Sequence, residues 1–194
     1  SKDGPNGART MIIFQEPKSV AGTRFLTMDN ASGGTDQWIF LPELGKTRRI
    51  SGSEGSGSFM GTDMSYDDIA SADRDAGEDT HTLLREEALS GSPCYVIESR
   101  PRDASYQYSR MVSWIDKGNK VTLKIELYNK KGDLAKVMES SDIRDTQGRL
   151  TPMQTKMTTV AAGTFTTIYV EKLQYDAKLS DGIFTIKFLE TGRP

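Results

Sequence analysis

The chain has 194 residues, with 25 Lys and Arg against 27 Asp and Glu for a formal net charge of −2, so no strong field of one sign is available to capture nucleic acid or an anionic surface. One Cys and one His, Cys94 and His81, exclude an internal disulfide, a cysteine-based zinc cluster and any site that needs two imidazoles. No run approaches the roughly 18 apolar residues that cross a bilayer, no charged-then-apolar leader precedes Ser1, and the length suits a single domain, 1–194.

The apolar content, 36% with Tyr included, is low for an all-parallel sheet, whose strands are buried on both faces, and suits antiparallel strands with one face in water. Thr10 to Phe14, Thr23 to Met28 and Gln37 to Leu41 are short β-prone runs set apart by Pro17, Gly22 and the cluster from Asn30 to Gly34. Ser51 to Gly61 is rich in Ser and Gly, with Phe59 and Met60 as its large apolar residues; such a stretch moves unless something holds it. Ser65-Tyr66-Asp67-Asp68 fits a capping box and predicts a short helix over Tyr66 to Ser71.

Further on, Thr80 to Leu89 and Cys94 to Arg100 flank Ser90 to Pro93 and predict a hairpin. Lys120 to Leu127 alternates, with Val121, Leu123, Ile125 and Leu127 on one side and Lys120, Thr122, Lys124 and Glu126 on the other, the pattern of a half-buried strand. Turn chemistry at Lys117-Gly118-Asn119, around Gly132, at Gln147-Gly148 and from Ala161 to Gly163 divides residues 105 to 177 into five consecutive strands of a meander. Gly182 to Leu189 reads either as a turn of helix or as a strand.

Chemical motifs are sparse. Gly55, Gly57 and Gly61 do not form a dinucleotide fingerprint, and no Gly-Lys-Ser/Thr follows them. Asp63, Asp67, Asp68, Asp73, Asp75, Glu78 and Asp79 read as solvated cap and loop acids; Asp73, Asp75 and Gly77 match a calcium loop only in part. His81 lacks a motif-placed Ser or Cys, and Cys94 reads as a small buried hydrophobe. Met residues, eight in all, are spread over many predicted strands; they either fill gaps in a core or present an adaptable surface to a ligand.

The segment Asp36-Gln37-Trp38-Ile39-Phe40-Leu41-Pro42, then Arg48-Arg49-Ile50 and Gly57-Ser58-Phe59-Met60-Gly61-Thr62-Asp63-Met64-Ser65-Tyr66-Asp67-Asp68, resembles the LolA-like outer membrane lipoprotein-sorting protein family of Gram-negative periplasms. Phe14-Gln15-Glu16-Pro17, Gly22-Thr23-Arg24-Phe25-Leu26 and the segment from Gly91 to Glu98 follow the family's order. The resemblance covers most of the chain and is strongest over residues 9 to 69. It implies a mostly β fold with few short helices, an incomplete antiparallel barrel (half-barrel) of the LolA/LolB kind whose concave face receives acyl chains. Set against the family, this sequence is expected to start in an early strand, after the leader and N-terminal helix that the resemblance implies and that would supply part of the cover.

On this reading the chain is a periplasmic carrier of lipid or lipoprotein acyl chains, working toward the outer membrane, with no catalytic residue, metal or cofactor. Phe25, Trp38, Phe40, Met60, Met111, Trp114 and Leu123 are the expected lining, with Arg48, Arg49 and Phe59 at a rim that meets a headgroup. Trp38 and Phe40 share a strand face and would otherwise plug the barrel, and Arg48 and Arg49 would otherwise hold surface salt bridges. The loop 51 to 61 is a candidate moving rim. An inner-membrane transporter is the expected protein partner, with no role for nucleic acid and no membrane span. A different class of function, a non-catalytic adaptor of an inner-membrane lipid exporter, would use exposed strand edges or the loop 51 to 61. A hydrolase would need Asp63, Asp67 or His81 to converge in a cleft.

Overall fold

The computed structural model describes residues 1–5, 7–31, 34–71 and 74–194. Ser32 and Gly33 of the predicted turn, and Asp73 of the acidic run, lie outside the described residues. The fold is mostly β: two antiparallel sheets, neither closed into a barrel, with a few short helical turns. The chain forms two compact units, one of residues Ser1–Gly57, Tyr66–Asp73 and Ala177–Pro194, the other of Ser58–Ser65 and Arg74–Asp176.

The first unit holds a five-stranded sheet in sequence order: β1 (Lys2–Gly4), β2 (Gly7–Ile13), β3 (Arg24–Asp29), β4 (Thr35–Leu41) and β5 (Lys46–Arg49). The register sets Leu26 opposite Met11 and Trp38, and Phe25 opposite Ile12 and Ile39. Successive side chains on a strand point to opposite faces, so Leu26 and Trp38 share one face, and Phe25 and Ile39 the other. The Leu26 face is covered by a C-terminal helix, α2 (Ile186–Thr191), whose fully buried Leu189 packs with Leu26 and Phe184 among Met11, Trp38 and Phe40. Burying a side chain of this kind contributes about 1.5–3 kcal/mol. Thr185 caps this helix by accepting from the Phe188 N–H at 3.1 Å. At the other end, Gly192 takes the left-handed conformation (φ 67°) that lets a helix close. Arg24 lies 4.4 Å over the Phe40 ring and donates to the carbonyls of Leu189 and Glu190 at 2.6 and 2.9 Å. The alternatives for residues 182 to 189 thus resolve as a 3-10 turn, Asp181–Ile183, followed by the start of α2, and not as a strand.

On the opposite face, α1 (Tyr66–Ala70) brings the Tyr66 ring to 5.6 Å from Phe25. Gln37, 7% exposed, donates from Nε2 to Asp67 Oδ1 at 2.9 Å. Backbone bonds from Asp67 to the Gly55 carbonyl (2.9 Å) and from Tyr66 to the Gly57 carbonyl (3.2 Å) tie down the Gly/Ser run, and Glu54 accepts from Ser51 and Arg48. The segment expected to move unless held is therefore held.

The second unit is a seven-stranded meander: β6 (Asp79–Leu89), β7 (Ser92–Pro101), β8 (Arg110–Asp116), β9 (Thr122–Tyr128), β10 (Leu134–Thr146), β11 (Arg149–Thr159) and β12 (Thr164–Tyr169). Two of its hairpins close through two residues of positive φ, Ser90-Gly91 and Gln147-Gly148, the geometry that matches the twist of the flanking strands and favours Gly. A capped 3-10 turn, Ala76–Glu78, precedes β6 and absorbs the acidic run: Asp75 accepts from the Gly77 N–H, while Arg74 pairs with Glu78 and Asp79 at 2.6 and 2.8 Å.

Candidate ligand-binding face

The two faces of the seven-stranded sheet have different chemistry. On one, Arg85, Val96, Trp114, Lys124 and Glu139 form a row across five strands. Cys94, Val96, Val112 and Trp114 are buried there, with Leu89, Leu123 and Tyr128 packed against them, and charged side chains of the same sheet lie over Trp114. The Arg85 guanidinium lies 5.8 Å and the Lys124 ammonium 4.5 Å from the Trp114 ring, and Arg110 sits 3.6 Å over Tyr128. Trp114 donates its indole N–H to Glu87, which Arg85 grips with two bonds of 2.8 and 3.0 Å. Burial pushes the Glu126 carboxyl up, but hydrogen bonds from Lys124 and Tyr128, both at 2.7 Å, outweigh it and hold this group below the ordinary carboxylate range. Long aliphatic stems covering apolar residues while their heads pair in water make a sealed outer surface.

The reverse face is methionine-lined. Leu83, Ile97, Ser113, Ile125, Met138, Met157 and Thr166 form one row across all seven strands. A parallel row on the same face runs through His81, Ser99, Met111, Leu127, Lys136, Thr159 and Thr164. Its centre is a buried cluster of Tyr108, Leu127 and Met157, around which Met64, Tyr106, Met111, Ile125 and Met138 stay half-buried. Unbranched, polarizable thioethers in this setting adapt to apolar guests of varied shape.

Polar groups close the face at both ends. At β12, Asp63 accepts from the hydroxyls of Thr164 and Thr166 at 2.5 and 2.9 Å, and its own N–H donates to Thr166 at 2.9 Å. These bonds dock the segment 58–65, with Met64 on it, onto the sheet. The Thr164 hydroxyl, then Thr159, hold the Asp63 carboxyl below its ordinary range, with Thr166 and Lys136 adding to the effect. At β6, the Ala76 carbonyl accepts from His81 Nε2 and the Ser99 hydroxyl bonds to Nδ1, both at 2.8 Å. A carbonyl can only accept, so Nε2 is the donor to Ala76.

The expected lining residues divide between faces. Met111 is on the methionine face. Trp114 lies on the sealed face three positions along the same strand, and Leu123 packs with it: opposite Trp114/Ile115 the β8–β9 register shifts and leaves Leu123 as the extra residue of β9, which redirects the alternation expected there. In the first unit, Trp38 and Phe40 are together beneath α2, whereas Phe25 is on the reverse face. Phe59 is buried and Met60 half-buried at φ 52°. Arg48 pairs with Glu54 at 2.7 Å, and Arg49 with Asp36. Met64, Ile125, Met138, Met157 and Tyr106 were absent from the expected lining, although the hairpin turn at Gln147-Gly148 pairs Met138 with Met157 directly.

Asp63, Asp67 and His81 each have a partner of their own, and among the described residues no group of three or more His, Cys, Asp or Glu side chains is placed to hold a metal ion. Among the described residues no helix is long and apolar enough to cross a membrane.

A family model described as an uncharacterized protein matches residues 6–191. No curated protein matches the chain. Among solved structures, a domain described as an outer membrane lipoprotein-sorting protein from Vibrio parahaemolyticus is 30% identical, with a TM-score of 0.88 over 94% of this chain and 77% of that one. A DUF1329 family protein from Desulfovibrio piger is 35% identical, with a TM-score of 0.88 over 92% of this chain and 75% of its own. A LolA superfamily protein from Nitrosomonas europaea is 27% identical, with a TM-score of 0.73 over 93% and 77%.

Proposed function

Because the chain belongs to the LolA-like outer membrane lipoprotein-sorting family, we propose that it is a periplasmic carrier whose methionine face holds the acyl chain of a lipid or lipoprotein. The observation that carries this reading is the contrast between the two faces of one sheet: charged and self-paired on one side, lined by Met64, Met111, Met138 and Met157 on the other. A sheet built only for stability has no need of adaptable thioethers left half-buried. Each CH₂ withdrawn from water gains about 0.8 kcal/mol, so an acyl chain provides its own affinity and the carrier needs no catalytic group. Loading and release then each require a partner, and an inner-membrane transporter is the proposed class at the loading end.

The test is native mass spectrometry of freshly purified protein followed by organic extraction, with displacement of a fluorescent fatty acid as the quantitative assay. Co-purified lipid and saturable uptake that weakens at least tenfold in the double variant Met111→Gln, Met138→Gln support the carrier. Uptake unchanged by that variant, or no uptake by delipidated protein, overturns it.

A further inference from the structure

The seven-stranded sheet treats its two edges in opposite ways. β6 carries Asp79, His81, Arg85, Glu86 and Glu87, and a register shift between Leu83 and Arg85 interrupts its ladder. Charge and irregularity are the usual protections of an open edge. β12, Thr-Phe-Thr-Thr-Ile-Tyr, has no charged residue and no Pro, pairs with β11 without a shift from Thr164 to Tyr169, and has no second strand neighbour among the described residues. Phe165 and Tyr169 share its outer face, opposite to Thr166, and are 62% and 68% exposed.

We propose that β12 is a self-association strand, along which two copies of the chain pair antiparallel about a two-fold axis through Thr167. An axis perpendicular to the sheet keeps like faces together only when it passes through a residue rather than between two, because side chains alternate with period two. Centred on Thr167, it sets Phe165 of each copy opposite Tyr169 of the other, two aromatic cross-strand pairs of the favoured kind. Moving the centre to Thr166 sets Phe165 against Thr167 and Tyr169 against Gly163, which leaves the aromatics unmatched. No charge on the strand opposes this pairing. The nearest cation, Lys156, pairs across the ladder with Thr167 and sets its ammonium 4.6 Å over the Phe165 ring; in the dimer the two Phe165 rings belong to positions four residues apart along the strand, about 13 Å, beyond the Debye length of about 8 Å at physiological salt.

The arrangement closes. Once the β12 edges are joined, the remaining edges of the seven-stranded sheets are the two guarded β6 strands, so growth of this sheet stops at two copies, with both methionine faces on the same side of one continuous sheet. A pair of six-residue strands buries less than the roughly 1,200 Å² of a standard interface, so the dimer dissociates on dilution.

The experiment combines sedimentation velocity of the full chain, from micromolar to sub-millimolar concentration, with position-specific cross-linking. Directly opposed Cα atoms lie about 4.5–5.5 Å apart, inside the reach of a disulfide, so Thr167→Cys oxidises to a covalent dimer. Phe165→Cys does not, because its image lies four residues along the strand, about 13 Å away. The native thiol, Cys94, is fully buried and does not compete. Thr167→Lys places like charges at the axis and weakens dimerisation at least tenfold while the far-UV spectrum and melting transition are retained. A wild-type chain that stays monomeric throughout, a dimer unaffected by Thr167→Lys, or cross-linking of Phe165→Cys as fast as that of Thr167→Cys would each overturn the proposal.

Discussion

Met111 and Trp114 stand three residues apart on β8 and point to opposite sides of the sheet, Met111 into the Leu127 and Met157 cluster and Trp114 beneath Arg85 and Lys124. The two side chains should therefore fail in different ways. Trp114→Ala opens a hole under the charged cover and removes the partner of Glu87, a loss of about 3 kcal/mol, read as a lower urea midpoint with fatty-acid uptake intact in protein that remains folded. Met111→Gln nearly conserves volume but makes the lining polar. It should cost less stability than Trp114→Ala, because Met111 is only half-buried, while weakening uptake several-fold.

Asp63 ties the segment 58–65 to β12 through Thr164 and Thr166, and its carboxyl is held below the ordinary range by those bonds. A depressed folded value means that the ionised form favours the folded state, so this contribution is complete above the unfolded value of about 3.9 and is lost as pH falls through the folded one. Hydrogen-exchange protection at residues 58–65, taken relative to the intrinsic rate at each pH, should fall below about pH 4 in the wild type. Asp63→Asn should exchange faster at neutral pH and show no further acid step at this site.

Much of the architecture was legible because it depends on local chemistry. Ser90-Gly91 and Gln147-Gly148 mark hairpins that form where expected, and the run from Lys120 to Leu127 is a strand through most of its length. Orientation was harder to read, since both faces of the central strands bear apolar residues: Trp114 looks like interior, yet Arg85 and Lys124 from neighbouring strands lie over its ring. Alternation within one strand cannot say which side is sealed by long cations. Cross-strand register can: the turn at Gln147-Gly148 already pairs Met138 with Met157, and following that row through Ile125 defines the methionine face. Trp38 and Phe40 were ambiguous for a related reason, because the helix that covers them comes from the far end of the chain.

Asp67 is the reverse case of Asp63. Burial pushes its carboxyl above the ordinary range, and neighbouring Asp68 adds to this against the Gln37 hydrogen bond. A raised folded value means that its contribution to stability is complete below the unfolded value of about 3.9 and is lost as pH rises through the folded one. Asp67→Asn removes the buried charge and keeps an acceptor for Gln37 Nε2. Its amide N–H is also available to Gln37 Oε1, which is buried without a hydrogen-bond partner. The variant should be more stable at pH 7 by about 1 kcal/mol or less once solvent screening is allowed for, an increase in Tm of about 2–4 °C. The difference should shrink toward pH 4 in parallel melts.

Gly55 lies against that same carboxylate. A Cβ added there would stand 2.3 Å from Asp67 Oδ1 and 2.6 Å from its Cγ, while one added at Gly52, in the same loop, meets nothing within 4 Å. Neither residue has positive φ, so conformational freedom is not the reason for glycine, and the two substitutions should separate on packing alone. Gly52→Ala should be neutral or stabilising by about 0.4–1 kcal/mol through the unfolded state. Gly55→Ala must displace Asp67 from Gln37 or shift the loop that holds the Asp67 N–H at 2.9 Å, and should cost about 1–3 kcal/mol. Combining Gly55→Ala with Asp67→Ala distinguishes the causes: if the carboxylate is the obstacle, the double variant is more stable than the sum of the single effects predicts, whereas strict additivity in urea titrations would place the strain in the backbone of the loop.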